Sequence, residues 1–216
     1  MKKAIALPIA MALLILFSCR PERGENQDMV PIFNGKNLDG WVQKNGFATY
    51  RVEDGMIVGA TATGSPNSFL CTEKEYGDFI LELDVMVDPE LNSGIQIRSH
   101  SLEELNNGRV HGYQVEIDPS DRAWSGGIYD EGRRGWLDDL EDNEPARKAF
   151  KRYDWNHYKI EAIGPRIRTW INGVPAADLV DSMDATGFIG LQVHSHAKEG
   201  LEVKWKNIKL QDLDAE

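Results

Sequence analysis

The sequence predicts an all-β sandwich or jelly roll, built as a single domain. Three observations carry this. Turn punctuation is dense from Ile32 onward, with Asn34-Gly35, Asp54-Gly55, Asn107-Gly108 and Asn172-Gly173 among the markers. Between these turns lie short β-type runs with no strand–helix–strand rhythm. Three of those runs alternate strictly, as a strand with one buried face must. They are Ile95-Gln96-Ile97-Arg98, Tyr113-Gln114-Val115-Glu116-Ile117-Asp118 and Leu191-Gln192-Val193-His194-Ser195-His196.

Taken in order, the chain opens Met-Lys-Lys and runs apolar from Ala4 to Phe17, ending Ser18-Cys19. A charged start, an apolar stretch too short to span a bilayer and a small residue before cysteine read as a lipoprotein signal over residues 1–18. Cys19 then becomes a lipid-bearing mature N-terminus. The plainer alternative is an ordinary secretory leader. Residues 19–30 are polar and form a tether. The domain follows over residues 31–213. Its expected strands are Met56–Ala60, Ser68–Thr72, Phe79–Val87, Gly94–Arg98, Gly112–Ile117, Gly127–Tyr129, His157–Ala162, Arg166–Ile171, Phe188–Val193 and Glu202–Leu210. Asn172-Gly173 closes a tight hairpin. One short helix is expected at Pro145–Lys151. Residues 121–145 mix Trp124, Tyr129 and Trp136 with many charges and read as a long functional loop.

Composition narrows the function. The chain carries 24 Lys and Arg against 35 Asp and Glu, a net charge of −11. Loss of residues 1–18 removes Lys2 and Lys3 and no acids, so the remaining balance is 22 against 35, or −13. Such a surface disfavours nucleic acid and anionic lipid as partners, and leaves the lipid anchor as the membrane attachment. The expected location is the bacterial cell envelope, facing the periplasm, since residues 20–24 hold no clear acidic surface-export signal. Cys19 and Cys71 are the two cysteines, and lipidation of the first leaves the second without an intrachain partner. There is no phosphate-binding Gly-Lys-Ser/Thr loop and no G-x-S-x-G elbow.

The polar positions of the three alternating strands hold amides, a guanidinium, carboxylates and imidazoles rather than the Lys, Ser and Thr of a solvated face. Glu116 is a candidate general base, with a structural ion pair to Arg98 as the bland reading. Arg98 is a candidate for steadying substrate oxygen, and His194 a candidate proton carrier. Gln96, Gln114, Asp118 and Gln192 on the same faces are candidate substrate-binding groups. Tyr129 and Trp136 could stack on sugar rings, or simply anchor their loop. His194 and His196 with Glu116 or Asp118 could also hold a divalent metal, although no third ligand is set by spacing. Trp41, Trp155, Trp170 and Trp205 read as structural.

Ile32-Phe33-Asn34-Gly35-Lys36-Asn37-Leu38-Asp39-Gly40-Trp41 resembles the opening of a bacterial family, the 3-keto-disaccharide hydrolases. Asn92–Arg98, Gly112–Ile117, Gly126–Tyr129, Trp155–Tyr158, Ile171–Val174, Gly187–His194 and Val203–Ile208 match in order. The similarity spans about residues 31–212. It implies a concanavalin A-like β-sandwich on an exported lipoprotein, and cleavage of 3-keto-glycosides. In that chemistry a base, Glu116 or His194, removes the C2 proton acidified by the C3 carbonyl. Arg98 or a metal steadies the enolate, the C1 substituent leaves, and hydration completes net hydrolysis. The chain departs from the family at Gln96, where members more often carry an apolar residue. A conventional glycosidase uses two carboxylates instead, and Glu116 and Asp118 would lie about 7 Å apart along one strand. A lectin-like binding module is the rival reading, because one fold class hosts both.

Overall fold

The computed structural model describes residues 28–105 and 107–214. The expected signal peptide, Cys19 and most of the tether lie outside these residues. Among the described residues, fifteen strands form two packed antiparallel sheets, joined by loops and one helical turn. The first half of the chain contributes β1 (Val30–Pro31), β2 (Trp41–Lys44), β3 (Thr49–Glu53), β4 (Met56–Ala60), β5 (Ser68–Tyr76), β6 (Phe79–Val87), β7 (Ser93–His100) and β8 (His111–Ile117). Then come β9 (Ile128–Glu131), β10 (Gly135–Asp138), the helical turn α1 (Glu144–Arg147), β11 (Asn156–Ile163) and β12 (Arg166–Ile171). The chain closes with β13 (Val174–Val180), β14 (Gly187–Val193) and β15 (Glu202–Asp212).

One sheet runs β13-β12-β11-β6-β15-β4-β3, with β1 added beside β15. The other runs β10-β9-β8-β7-β14-β5-β2. The core lies between them. Leu81, Leu83 and Val85 of β6 face it from the first sheet, and Ile95, Ile97, Val115 and Leu191 from the second, each almost fully buried. Each such aliphatic side chain contributes roughly 1.5–3 kcal/mol of transfer free energy. Trp205 is fully buried and stacks on Tyr50 at 6.4 Å. Trp155 and Trp170 sit half-buried on the outer side instead, under Lys206 and under Lys159 and Arg168 respectively.

Two sequence expectations change. Residues 121–145 are not one long loop, because β9 and β10 pair within them as a hairpin closed around Gly132. The helix starts one residue early, at Glu144, and ends at Arg147. Asn143 caps it by accepting from the Ala146 amide at 3.2 Å. The hairpin at Asn172-Gly173 is present, with both residues at positive φ as that turn demands.

Candidate active site

The second sheet's outer face carries the site. Along β8, Tyr113, Val115 and Ile117 enter the core, so Gln114 and Glu116 point outward. Register sets Glu116 opposite Gly94 of β7, and Gln114 opposite Gln96 on one side and Tyr129 on the other. Gly94 is essential to this layout. A Cβ built there would lie 2.3 Å from the Gln114 Cδ, so only glycine lets that amide lie flat across β7.

Glu116 accepts three hydrogen bonds. Asn92 Nδ2 donates to Oε1 at 2.7 Å, Gln114 Nε2 to Oε2 at 3.0 Å and Arg122 Nη2 to Oε1 at 3.1 Å. Burial nevertheless dominates and pushes the carboxyl up to about 7. Asp118 adds to the rise, and the three donors oppose it. The Gln114 amide is itself oriented: Ser99 Oγ donates to Gln96 Oε1 at 2.8 Å, and Gln96 Nε2 to Gln114 Oε1 at 2.6 Å. A directional chain Ser99–Gln96–Gln114 therefore ends on the Glu116 carboxylate.

Asp118 plays a different part. Burial pushes its carboxyl up, but hydrogen bonds from Ser120 and Arg122 outweigh this and hold it below the ordinary range. It accepts from the Ser120 and Trp124 amides and from Arg122 Nε at 2.8 Å, which folds the turn after β8. Arg122 is thereby fixed between the two carboxylates. Its guanidinium also lies 5.0 Å from the Trp124 ring centre and 4.9 Å from that of Trp136. Trp136 meets Trp124 and Tyr129 edge to face.

These groups open on a groove of about 440 Å³, with Gln114, Glu116, Arg122, Tyr129, Trp136 and His194 in its lining. The His194 Nδ1 lies 2.8 Å from the Ser195 carbonyl oxygen, so that nitrogen carries the proton and Nε2 is left to the groove.

Several expected site residues fall elsewhere. Arg98 leaves the groove face because a bulge after Ile97 puts it at φ +44°, which turns its side chain away from Gln96 and Glu116. It is buried and donates to the Gly77 and Gly164 carbonyls at 2.8 and 2.7 Å and to Asp78 at 3.0 Å. Its role is to clamp the β5–β6 and β11–β12 turns. Gln96 is fully buried and reaches the groove only through Gln114. Gln192 is also fully buried beneath the floor, and neither atom of its amide has a partner among the described residues. His196 lies past the end of β14 and accepts from the Lys198 amide at 3.0 Å.

Sequence reading passed over Arg122, Asn92, Asn67, Arg109 and Glu131, which all line the groove. Arg122 sits four residues from Asp118 and two from Trp124, and that spacing was its available signal. Among the described residues no three His, Cys, Asp or Glu converge as a metal-holding group.

A sugar-sized polar groove rimmed by aromatic rings on a β-sandwich defines a carbohydrate-related domain. The 3-keto-alpha-glucoside-1,2-lyase-like domain matches residues 28–211, and the chain belongs to that family. No curated protein matches. Among solved structures, a candidate glycosyl hydrolase from Parabacteroides distasonis is 20% identical, with a TM-score of 0.61 over 86% of this chain and 94% of that one. Carbohydrate-binding module CBM66 from Bacillus subtilis is 18% identical, with a TM-score of 0.60 over 80% and 95%. A Bacillus subtilis protein of unknown function with a galectin-like fold is 10% identical, with a TM-score of 0.61 over 88% and 97%. At these identities the likeness establishes the shared sandwich fold.

Proposed function

We propose that this protein cleaves 3-keto-glycosides by elimination followed by hydration. The observation that carries the reading is Glu116, a buried carboxyl poised at about 7 on the floor of a polar groove. A base with that affinity is matched to removing a proton near neutral pH. A carbonyl at C3 of the sugar acidifies the C2 proton enough for a carboxylate to take it.

The Glu116 carboxylate removes the C2 proton and leaves an electron pair shared with the C3 carbonyl. Arg122, held by Asp118 and braced by two tryptophans, stabilises the negative charge on the enolate oxygen. It takes the part that the sequence assigned to Arg98. The electron pair then forms the C1–C2 double bond as the C1–O bond breaks. The imidazolium form of His194 protonates the departing oxygen from Nε2. Neutral His194 takes a proton from water as the water oxygen adds to C1 of the enone, and Glu116 returns a proton to C2, so both groups regain their starting forms. The sum is one glycoside plus one water giving a free 3-keto-sugar and an alcohol. Residues 1–19 support placing this reaction in the cell envelope on a lipid-anchored protein, and the lack of a clear acidic export signal in residues 20–24 supports a periplasmic face.

The test is release of free sugar from 3-keto-glucosides and from their unoxidised parents. Cleavage confined to the keto compounds supports elimination. Saturable binding of the parents without turnover of either set supports a non-catalytic binding module instead.

A further inference from the structure

The groove over Glu116 is one of two joined lobes. A second hollow of about 450 Å³ continues from it and shares Asn67, Arg109 and His194 with it. Glu116, Arg122, Tyr129 and Trp136 belong to the first lobe alone. Asn45, Pro66, Phe69 and Ser195 belong to the second alone. The shared residues mark a junction, and the proposed proton donor His194 is one of them.

The second lobe is built rather than incidental. Its wall is the Asn45–Phe47 loop, held against residues 65–68 at a distance only glycine allows. A Cβ at Gly46 would lie 2.0 Å from Ser68 Oγ and 2.6 Å from the Pro66 carbonyl oxygen. Phe47 N donates to Ser65 Oγ at 2.8 Å, and Asn45 Oδ1 accepts from Val110 N at 2.6 Å, which locks the loop from both sides. Beneath the lobe Phe69 is almost fully buried in a small apolar cluster with Cys71, Val110 and Phe188, and the exposed Pro66 supplies the apolar surface. At the junction Asn67 Oδ1 accepts from Ser195 N at 2.9 Å, and its Nδ2 has no partner among the described residues. Arg109 is half-exposed and paired with Glu131 at 2.8 Å. The first lobe is therefore polar and charged. The second combines a proline surface with side-chain amides at its edge.

We propose that the second lobe is the subsite for the leaving group, and that it takes a ring with one apolar face and a hydroxyl-bearing edge. This deepens the elimination reading and rests on it for the assignment of the reacting ring to the first lobe. A keto-sugar over Glu116 and a second ring over Pro66 put the bond between them at His194, where the departing oxygen needs its proton. The apolar face of such a ring packs on Pro66, and Asn67 Nδ2 and Arg109 meet its hydroxyls. A pyranose presents this chemistry through its C–H face, and an alicyclic or aromatic aglycone presents the apolar half alone.

The test compares 3-keto-glucosides with methyl, cyclohexyl and glucosyl leaving groups, all alkanols, so that differences in intrinsic reactivity stay small. The wild-type protein is expected to favour both rings over methyl by about tenfold or more in kcat/KM, roughly the worth of one well-packed contact. Preference for glucosyl over cyclohexyl marks a sugar subsite, and equal preference for both marks an apolar-aglycone subsite. Pro66→Trp fills the lobe from an exposed position and should abolish the preference for both rings over methyl. Pro66→Ala, which trims the packing surface without adding bulk, should reduce it without abolishing it. Equal rates for all three leaving groups, or a preference that survives Pro66→Trp, overturn the proposal. If no keto-glycoside is cleaved at all, the elimination reading fails by itself. The subsite is then read by calorimetry with unoxidised disaccharide and monosaccharide. Tighter disaccharide binding that Pro66→Trp removes supports it, and equal binding overturns it.

Discussion

Glu116 shows how one buried carboxyl ties stability to catalysis. Its affinity for a proton rises from the ordinary glutamate range in the unfolded chain to about 7 in the folded one. A raised carboxyl stabilises the fold fully below about pH 4.5, and that contribution is lost as pH climbs through 7. Over that window the fold gives up about 3 kcal/mol through this group alone. Glu116→Gln is neutral throughout, so the stability difference between variant and parent should grow in the variant's favour from pH 5 to pH 8. Denaturant melts at the two pH values check this, and a pH-independent difference contradicts it. Arg122→Met removes a cation that lowers the Glu116 affinity, so the acidic limb of the activity profile should move to higher pH. His194→Ala should slow alkyl leaving groups by about 10²–10⁴-fold and a nitrophenyl leaving group far less, because nitrophenoxide departs without a proton.

Strand alternation made Gln114, Glu116, Gln192 and the face they share legible in β8 and β14, because period two holds wherever the ladder is regular. It failed at β7. A one-residue bulge after Ile97 is invisible to pattern reading, and it sends Arg98 into a turn clamp instead of the groove. Arg98→Met should therefore lower stability by about 3–5 kcal/mol, because it removes the buried guanidinium that bonds Asp78 and the Gly77 and Gly164 carbonyls, while purified variant keeps its turnover at low temperature. Thermal melts paired with an activity assay separate the two. Arg122 was missed for a related reason. It sits in an irregular turn, where its position is fixed by Asp118 and two tryptophans rather than by any period. Gly94 is the β7 residue on which the site depends most. Gly94→Ala drives a methyl into Gln114, so it should displace that amide and cut activity sharply with only modest loss of stability. Retention of full activity would show that the Gln114 contact is dispensable.

The two-sheet architecture explains why the fold was easier to read than the chemistry. Turn residues and β-type runs are local signals, and ten such runs are legible along the chain before any long-range contact is considered. The site instead gathers Asn92, Glu116, Arg122 and His194 from four separate places and adds a second lobe from the Asn45 and Pro66 loops. None of those pairings is written in sequence spacing. The acidic surface, with its charge of −11, leaves neutral sugars as suitable ligands for a groove that must bring Glu116 and Arg122 to one substrate. The most direct test is time-resolved release of free sugar from 3-keto-glucosides and their unoxidised parents, using protein without residues 1–19 and its Glu116→Gln variant. The expected result is turnover of the keto compounds alone, rising with pH through about 7 and lost in the variant. Equal turnover of the parents, or undiminished turnover by Glu116→Gln, contradicts the assignment of Glu116 as the base that takes the C2 proton.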